Sequence, residues 1–270
     1  MKSATTTLFA SLLAFTAGSL PMSSRAQDHD AAELAKQLSN PVAALISVPF
    51  QNNFEWGGGP EGDGFRYLLN FQPVVPITLN EEWNMISRTI VPFISQEDMI
   101  GRSSQTGLGD ITQSLFFSPK NPGPGGWIIG VGPAFLIPTA TDDLLGTEKF
   151  GLGPTAVLLK QAHGWTFGAL LNHIWSVAGD GDRDDVSSTF VQPFLSYTTK
   201  KQTTFTLNSE STYDWEHEQW TVPVNLSVAQ LVKIGGHPYQ FQLGAKYYAD
   251  GPEGTPDWGV RFSVIFLFPK

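Results

Sequence analysis

Seven charged side chains sit at positions where the surrounding sequence alternates between apolar and polar residues. In strands with that alternation, the charged residues would share one face and the apolar residues the other. Charges of both signs that face an enclosed space should pair, because an unpaired buried charge is costly. We therefore expect ion pairs in a lumen, which either set its selectivity or only brace it. The seven residues are Glu55, Arg66, Arg88, Asp110, Glu210, Lys246 and Arg261.

Within this set the three arginines are the candidates for a selectivity filter. Our hypothesis is that Arg66, Arg88 and Arg261 form a basic patch at a constriction, matched by Asp110 and Glu210. Guanidinium groups at a narrow point would control which solutes pass. The alternative, that the same pairs only fill and stiffen the interior, is about equally well supported by the sequence.

Patterns for catalysis are weak. The five histidines form no HExxH motif, and the chain has no GxSxG motif and no P-loop. The absence of cysteine excludes disulfides and thiolate metal sites. A lipid hydrolase with His173 and Ser209 or Ser211 on an outer wall would need a pair from strands that are not neighbours. The sequence therefore predicts a protein that is not an enzyme and holds no cofactor.

Two acidic segments resemble cation-binding loops. In "PTATDDLLGTEKFGLGP", clustered hydroxyls and carboxylates are of the kind that hold Ca²⁺, or the loop could fold inward as a gate. The residues concerned are Thr139, Thr141, Asp142 and Asp143. In "DGDRDD" (180–185), Asp185 stands where a calcium loop needs glycine and Val191 where it needs glutamate. We favour hydrated turns in both cases and predict no metal site.

Period-two alternation runs through most of the chain and predicts strands. In the closing segment "DWGVRFSVIFLFPK", Trp258, Val260, Phe262, Val264, Phe266 and Phe268 form one row, and Gly259, Arg261, Ser263, Ile265 and Leu267 form the other. Twelve segments of about 11 residues follow this pattern, and such strands, tilted near 45°, rise about 25 Å, the height of an outer-membrane apolar band. Segment 150–160 is ambiguous.

Tryptophan or tyrosine stands at many segment ends, as in the aromatic girdles of membrane barrels. The sequence therefore predicts an antiparallel transmembrane β-barrel of about 12 strands in the bacterial outer membrane, with ten or fourteen strands as open alternatives. A water-soluble sandwich would alternate in the same way. The aromatic ends, and inner rows rich in Gly, Asn, Gln and Thr, favour the barrel.

The predicted outer loops are strongly acidic. They hold seventeen Asp and Glu residues against three bases, and they comprise 57–65, 96–107, 139–149, 178–187, 214–219 and 250–257. Such a rim would gather cations beside lipopolysaccharide phosphates or serve only for solubility. A chain of net charge −9 without basic runs is a poor nucleic-acid binder.

The N-terminus reads as an export signal. Lys2, an apolar stretch and Ser24-Arg25-Ala26 predict cleavage after Ala26, which would lower the net charge from −9 to −11 by removing Lys2 and Arg25. The expected organisation is a signal peptide over 1–26, a segment over 27–42 with a short helix near 31–38, and a barrel over 43–270. Asp30 and Glu33 suggest a capping box, and Pro41 should stop the helix.

Several motifs resemble one family. These are "KQLSNPVAALISVPFQNNFEW", "RTIVPFISQ", "GLGDITQSLFFSP", "GVGPAFLIPTATDDLLGTEKFGLGP", "WSVAGD", "QPFLSY" and "RFSVIFLFP". In order and spacing they resemble the MetA-pathway-of-phenol-degradation family of outer-membrane proteins, over about Leu38 to Pro269. The resemblance implies a transporter-like barrel that passes aromatic or other small apolar compounds. Pro269 and Lys270 depart from the aromatic residue that commonly ends such barrels.

Two functions from different classes follow. The first is a monomeric outer-membrane channel or transporter for small, aromatic or apolar molecules, with the lipid bilayer and lipopolysaccharide as surroundings. The second is a closed structural or adhesion barrel whose acidic outer loops bind cations. Passage of any solute separates the two.

Overall fold

The computed structural model describes residues 24–269, and it is a single antiparallel sheet closed into a barrel. Fifteen strand segments make twelve spans, because three spans are each interrupted once, after Phe71, Leu108 and Ser209. The segments are β1 (Ile46–Gly58), β2 (Gly64–Phe71), β3 (Val74–Thr78), β4 (Trp83–Glu97), β5 (Ser104–Leu108), β6 (Ile111–Pro119), β7 (Trp127–Ile137), β8 (Lys149–Ala162), β9 (Trp165–Gly179), β10 (Ser187–Thr198), β11 (Thr203–Ser209), β12 (Ser211–Asp214), β13 (Gln219–Ile234), β14 (His237–Asp250) and β15 (Trp258–Phe268).

The first and last strands close the barrel. β1 and β15 pair over eleven residues, from Ile46 opposite Phe268 to Trp56 opposite Trp258. Every other span pairs with its neighbours along the chain. Closure leaves no unpaired sheet edge, which hydrocarbon does not tolerate. The predicted twelve-stranded barrel is confirmed, and the even number of spans places both ends of the sheet at one rim.

Side-chain direction follows the predicted alternation. On the outer row of β13, Leu226 is 62% exposed, and on β15 Phe262 is 41% exposed, whereas Arg261 on the inner row is 5% exposed. In the ambiguous segment β8, Val157 and Leu159 face inward and Leu158 faces outward. An apolar exterior around a polar interior confirms the outer-membrane location.

Aromatic rings stack across strands near the strand ends. Trp56 and Trp258 stack with ring centroids 4.7 Å apart. Trp165 and Tyr197 lie 4.8 Å apart at the opposite end. Amphipathic rings favour the headgroup region, so these pairs mark the two interfaces of the apolar band.

Some side chains on the outer wall are polar, although the outer rows of the strands are mostly apolar. Tyr67 donates to Asn52 Oδ1 at 2.7 Å on the β1–β2 pair. Gln113 on β6 accepts from Thr89 Oγ1 at 2.5 Å and donates to Ser87 Oγ at 3.0 Å. Because these groups satisfy one another, lipid contact leaves few of their hydrogen bonds unmade.

Four of the five connections at the rim that carries the chain ends have two to four residues, and those at the other rim have four to eleven. Turns 163–164 and 235–236 have two residues each, with positive φ at both central positions, as type I′ turns require. At the opposite rim, the predicted loop 96–107 was too long. β4 continues to Glu97 and β5 begins at Ser104, because Gln96 and Gln105 hydrogen-bond across this hairpin at 2.9 Å inside the barrel.

The N-terminal helix α1 spans Ser24–Leu38, so it begins earlier than the predicted residue 31. The predicted cap Asp30 lies inside the helix, since no breaker interrupts the chain from Ser24 to Leu38. The helix ends before Pro41, as predicted, where Asn40 Oδ1 accepts from the Val42 amide. The predicted cleavage position, Ala26, falls in the first turn, and residues 1–23 of the predicted signal lie outside the described residues.

No helix among the described residues is both long enough and apolar enough to cross a bilayer.

The exposed outer row makes a depth-dependent prediction. Leu226 lies in the middle of β13, and Ile234 lies at its end. Replacing Leu226 by Arg should lower the free energy of unfolding by about 2–4 kcal/mol, and replacing Ile234 by Arg by about 0–1 kcal/mol. Denaturant titration of the barrel in lipid vesicles measures both. Equal losses at the two positions would contradict a hydrocarbon environment for this face.

Candidate functional site: the lumen and its closures

The segment that follows α1 enters the barrel at the rim where the chain ends meet. Leu34 and Ala35 of the helix, with Ala43 and Leu45, pack on inward-facing Leu267. We call residues 31–45 the plug. It is held by packing against the wall and forms no strand of the sheet.

The plug also contacts the opposite wall. Val42 packs in a buried cluster with Ile86, Phe116, Val157 and Leu159, which come from β4, β6 and β8. On β8, Gln161 Nε2 donates to the Lys36 carbonyl oxygen at 2.8 Å. The plug therefore spans the lumen, and apolar side chains carry most of its attachment.

Above the plug lies a cavity of about 250 Å³, which we call the lower cavity. Its floor includes Leu38 and Pro41 of the plug. Apolar wall residues include Leu170, Phe194 and Ile265, and uncharged polar residues line most of the rest. These polar residues are Gln192, Ser196, Thr204, Thr206, Asn208, Gln240 and Gln242.

A cluster of hydrogen-bonded charges lies beyond the lower cavity, toward the long-loop rim. Its centre is Glu55 on β1, which is 0% exposed. Glu55 accepts from Arg66 Nε at 2.7 Å, Lys246 Nζ at 2.6 Å and the Tyr248 hydroxyl at 2.8 Å. Two cations and one phenol thus satisfy one carboxylate, and they join β1, β2 and β14 across the inside of the sheet.

A second pair crosses the lumen from β15 to the break between β11 and β12. Arg261 donates from Nη1 and Nη2 to the two carboxylate oxygens of Glu210, at 2.9 and 2.7 Å. Its Nε donates to Asn53 Oδ1 at 2.7 Å. This fork geometry uses all three guanidinium nitrogens and is among the stronger kinds of ion pair.

Arg88 faces the lower cavity from β4 and is placed differently from the other two arginines. Its one hydrogen bond among the described residues runs from Nη2 to Gln72 Oε1 at 3.4 Å. No described carboxylate lies within 4 Å of it, in contrast to Arg66 and Arg261. The predicted basic patch is thus divided into two paired arginines and one arginine without an acid.

A second cavity, of about 390 Å³, lies on the other side of the charged cluster, and we call it the upper cavity. Arg66, Glu210, Lys246 and Tyr248 form its inner wall. The loop from Pro252 to Pro256 covers it. The charged cluster therefore separates two cavities that lie along the same lumen.

The structure does not bring Asp110 to the arginines. Asp110 lies at the break between β5 and β6, where it accepts from the amides of Thr139, Ala140 and Thr147. It also accepts from the Thr147 hydroxyl at 2.7 Å. Asp110 holds the loop 138–148 in place, because four donors of that loop converge on its carboxylate.

The same loop contains the four predicted outer-loop residues. Thr139 Oγ1 accepts from the Ile111 amide, Thr141 Oγ1 from the Leu108 amide, and Asp142 Oδ1 from the Leu144 amide. The Asp143 carbonyl accepts from Arg183 at 2.8 Å. These residues fix the loop to the wall. Leu145 lies against the inner side of Gly107 and Gly109, so the loop turns inward at the mouth.

The neighbouring loop 180–186 is tied to the barrel by Lys149, whose side chain is 8% exposed and which the sequence placed in a loop. Lys149 Nζ lies 3.1 Å from Asp185 Oδ1. That hydrogen bond, with a second from Ser176, lowers the pKa of Asp185 below its ordinary value. In loop 215–218, the hydrogen bond with the Asp214 carboxylate raises the pKa of His217.

The acidic side chains and His173 bear on metal binding and on lipid hydrolysis. In the described part of the chain, no group of three or more His, Asp or Glu side chains is arranged to hold a metal ion. His173 lies on the outer wall, as predicted, with Nδ1 2.7 Å from Thr189 Oγ1. Ser209 and Ser211 hydrogen-bond to each other at 2.6 Å, so the structure pairs neither of them with His173.

Three contributors to the site were missed by the sequence reasoning. Tyr248 shares the parity of Lys246 on β14, so the alternation would have placed it inside. Asn53 was assigned to the inner row but given no role. The plug residues Val42–Leu45 carry no periodic signal, and their position could not be read from the sequence.

No protein-family model matches the chain, and no curated protein matches it either. Among solved structures, the chain is similar to an outer-membrane channel from Pseudomonas putida F1, at 14% identity and a TM-score of 0.63. That match covers 83% of this chain and 94% of the other.

Two further structures show weaker likeness. The β domain of the Bordetella autotransporter BrkA matches at 10% identity and a TM-score of 0.46, over 83% of this chain and 100% of that chain. The outer-membrane phospholipase A of Escherichia coli matches at 11% identity and 0.45, over 87% and 97%. The Pseudomonas likeness supports the barrel fold, and no function is carried over from these two.

The buried carboxylate of Glu55 makes a stability prediction. Glu55→Gln leaves Arg66 and Lys246 without their acid, and loss of one partner from a buried ion pair costs about 3–5 kcal/mol. Glu61 pairs with Arg102 in an outer loop, where both side chains are more than half exposed. Glu61→Gln is the matched control and should cost about 0–1 kcal/mol.

Denaturant unfolding in lipid vesicles compares the two variants. A loss in Glu55→Gln no larger than that in Glu61→Gln would show that Glu55 is not the centre of the charged cluster.

Proposed function

We propose that the protein is an outer-membrane channel for small molecules. The observation that carries the proposal is the pair of cavities inside the barrel, which the charged cluster separates. One end of the lumen is closed by the plug, which is not part of the sheet. Twelve strands lie between the eight that side chains fill and the sixteen that leave a channel, and this barrel keeps space for a solute on both sides of the charged layer. The fold likeness to a solved outer-membrane channel is consistent with this reading.

In this proposal the charged cluster acts as the constriction. Glu55, Arg66, Glu210, Lys246 and Arg261 narrow the lumen and present fixed charges to a passing solute, while Arg88 faces the cavity below. Fixed side chains of this kind select solutes by charge and hydrogen bonding. Asp110 and the residues Thr139 to Asp143 contribute by holding the inward-turned loop at the mouth.

The plug acts as the gate. Residues 31–45 are attached by apolar packing and by few hydrogen bonds, so displacement disrupts no sheet pairing. Gates that open while the barrel stays intact are drawn from such weakly tethered segments.

We propose further that the solutes are small and aromatic or apolar, and that the chain is related to the phenol-degradation family. The motif resemblance to the phenol-degradation family suggests small aromatic or apolar solutes, and the apolar side of the lower cavity suits them. We propose that the chain is a monomer in the bilayer, is not an enzyme, and requires no cofactor.

A reversible lock on the plug tests the gate. A Cβ built on Gly130 would lie 3.0 Å from a Val42 side-chain atom. The double variant Val42→Cys with Gly130→Cys should therefore form a disulfide, since this Val42 atom, Cγ1, occupies a place that the sulfur of a cysteine could take. The chain has no native cysteine to compete.

We expect the oxidised double variant to pass no solute and the reduced form to regain passage. Vesicle swelling in arabinose and in resorcinol, with protein-free vesicles as background and each single-cysteine variant as control, measures this. Equal swelling of oxidised and reduced vesicles would remove the plug as gate. No swelling by the wild-type protein in any solute would favour a closed structural barrel.

A further inference from the structure

We infer that the lower cavity binds a small organic anion, with its carboxylate on Arg88 and an apolar body about one ring in size against Phe194 and Leu170. The inference rests on the proposed function, because the cavity lies on the proposed path. It also makes a separate claim, since binding can be measured without passage.

The guanidinium of Arg88 is the one charged group in the described wall of this cavity. A guanidinium has five N–H donors, and Arg88 uses one of them, in a long hydrogen bond to Gln72. Arg66 and Arg261 are each engaged by a carboxylate at 2.7 Å. Arg88 therefore has free donors in the fork geometry that suits a carboxylate.

The surrounding charges do not neutralise Arg88. Glu210 is the carboxylate whose charge reaches it, but both oxygens of Glu210 are taken by Arg261. Arg88 at the lower cavity and the charged cluster beside it together hold four cations and two carboxylates, which leaves a net charge of +2. The cations are Arg66, Arg88, Lys246 and Arg261, and the acids are Glu55 and Glu210.

An incoming anion would relieve this imbalance. A carboxylate on Arg88 would pair with its unmatched positive charge in fork geometry. A neutral solute of the same shape would leave the guanidinium unpaired. A cationic solute would add to the positive charge, so it should be excluded.

The size and lining of the cavity set the rest of the ligand. An engineered cavity of about 150 Å³ accommodates benzene, so a space of this size suits a one-ring body. Phe194, Leu170 and Ile265 supply an apolar surface for it.

Benzoate is the probe, with benzyl alcohol as its neutral analogue and benzylammonium as its cationic one. Isothermal titration of the purified full chain in a non-ionic detergent should show benzoate binding more tightly than both. Arg88→Gln should weaken benzoate binding by at least about tenfold, because a hydrogen bond to a charged group contributes that much or more. Arg88→Lys should retain part of the affinity.

Arg102→Gln is the matched control, since Arg102 is a 79% exposed outer-loop arginine, and it should leave benzoate binding unchanged. Heat-modifiable migration checks that each variant is folded. Should Arg88→Gln fail to fold, the order of the affinities of benzoate, benzyl alcohol and benzylammonium for the wild-type protein still tests whether the cavity prefers an anion.

Benzoate bound no better than benzyl alcohol, or bound equally by Arg88→Gln, would overturn the inference. Arabinose passage through a protein that does not bind benzoate would leave the channel proposal standing and the anion site refuted. Arg88-dependent binding of benzoate without passage of any solute would leave the anion site standing and refute the channel proposal.

Discussion

The pairing of β1 with β15 is the constraint on which the rest of the molecule depends. Hydrocarbon offers no partner to a backbone amide or carbonyl, so a sheet in a bilayer must join its own ends. Once it does so over eleven residue pairs, every strand has one face toward lipid and one toward an enclosed space. The apolar outer row and the charged inner row are both consequences of that closure.

Closure of the barrel brings the inward-facing charged side chains within hydrogen-bond distance of one another. Arg66, Lys246 and Tyr248 converge on Glu55 because all four side chains point into the same enclosed lumen. Arg261 and Glu210 meet for the same reason. The result is a layer of ion pairs that ties β1, β2, β14 and β15 together and divides the interior into two cavities. Arg88 stands apart from this layer, and no carboxylate in the described part of the chain lies within 4 Å of it.

The sequence predicts this architecture well because successive side chains of a strand point to opposite faces of the sheet, so apolar and polar residues alternate. The parity of β15 alone separates Phe262 from Arg261, and the same rule places Glu55, Lys246 and Glu210 inside. Partners were harder to predict, since parity tells which face a residue occupies but not its height or its neighbour around the barrel. Asp110 is inward, yet it binds loop amides at the mouth. The plug sequence shows no alternation of apolar and polar residues. Its position depends on contacts between Val42 and residues more than 40 positions away in the sequence.

The acidic outer loops and the cationic interior lie in series along one axis. Asp and Glu residues surround the mouth, and four basic and two acidic side chains deeper in the lumen carry a net charge of +2. Such a stack of opposite fixed charges is the ionic counterpart of a semiconductor junction. In the proposed open channel, with the plug withdrawn, ions would accumulate in the lumen at one polarity of an applied voltage and be depleted at the other. If the proposed channel conducts, it should therefore rectify, and the direction of the larger current would report which way the protein is inserted.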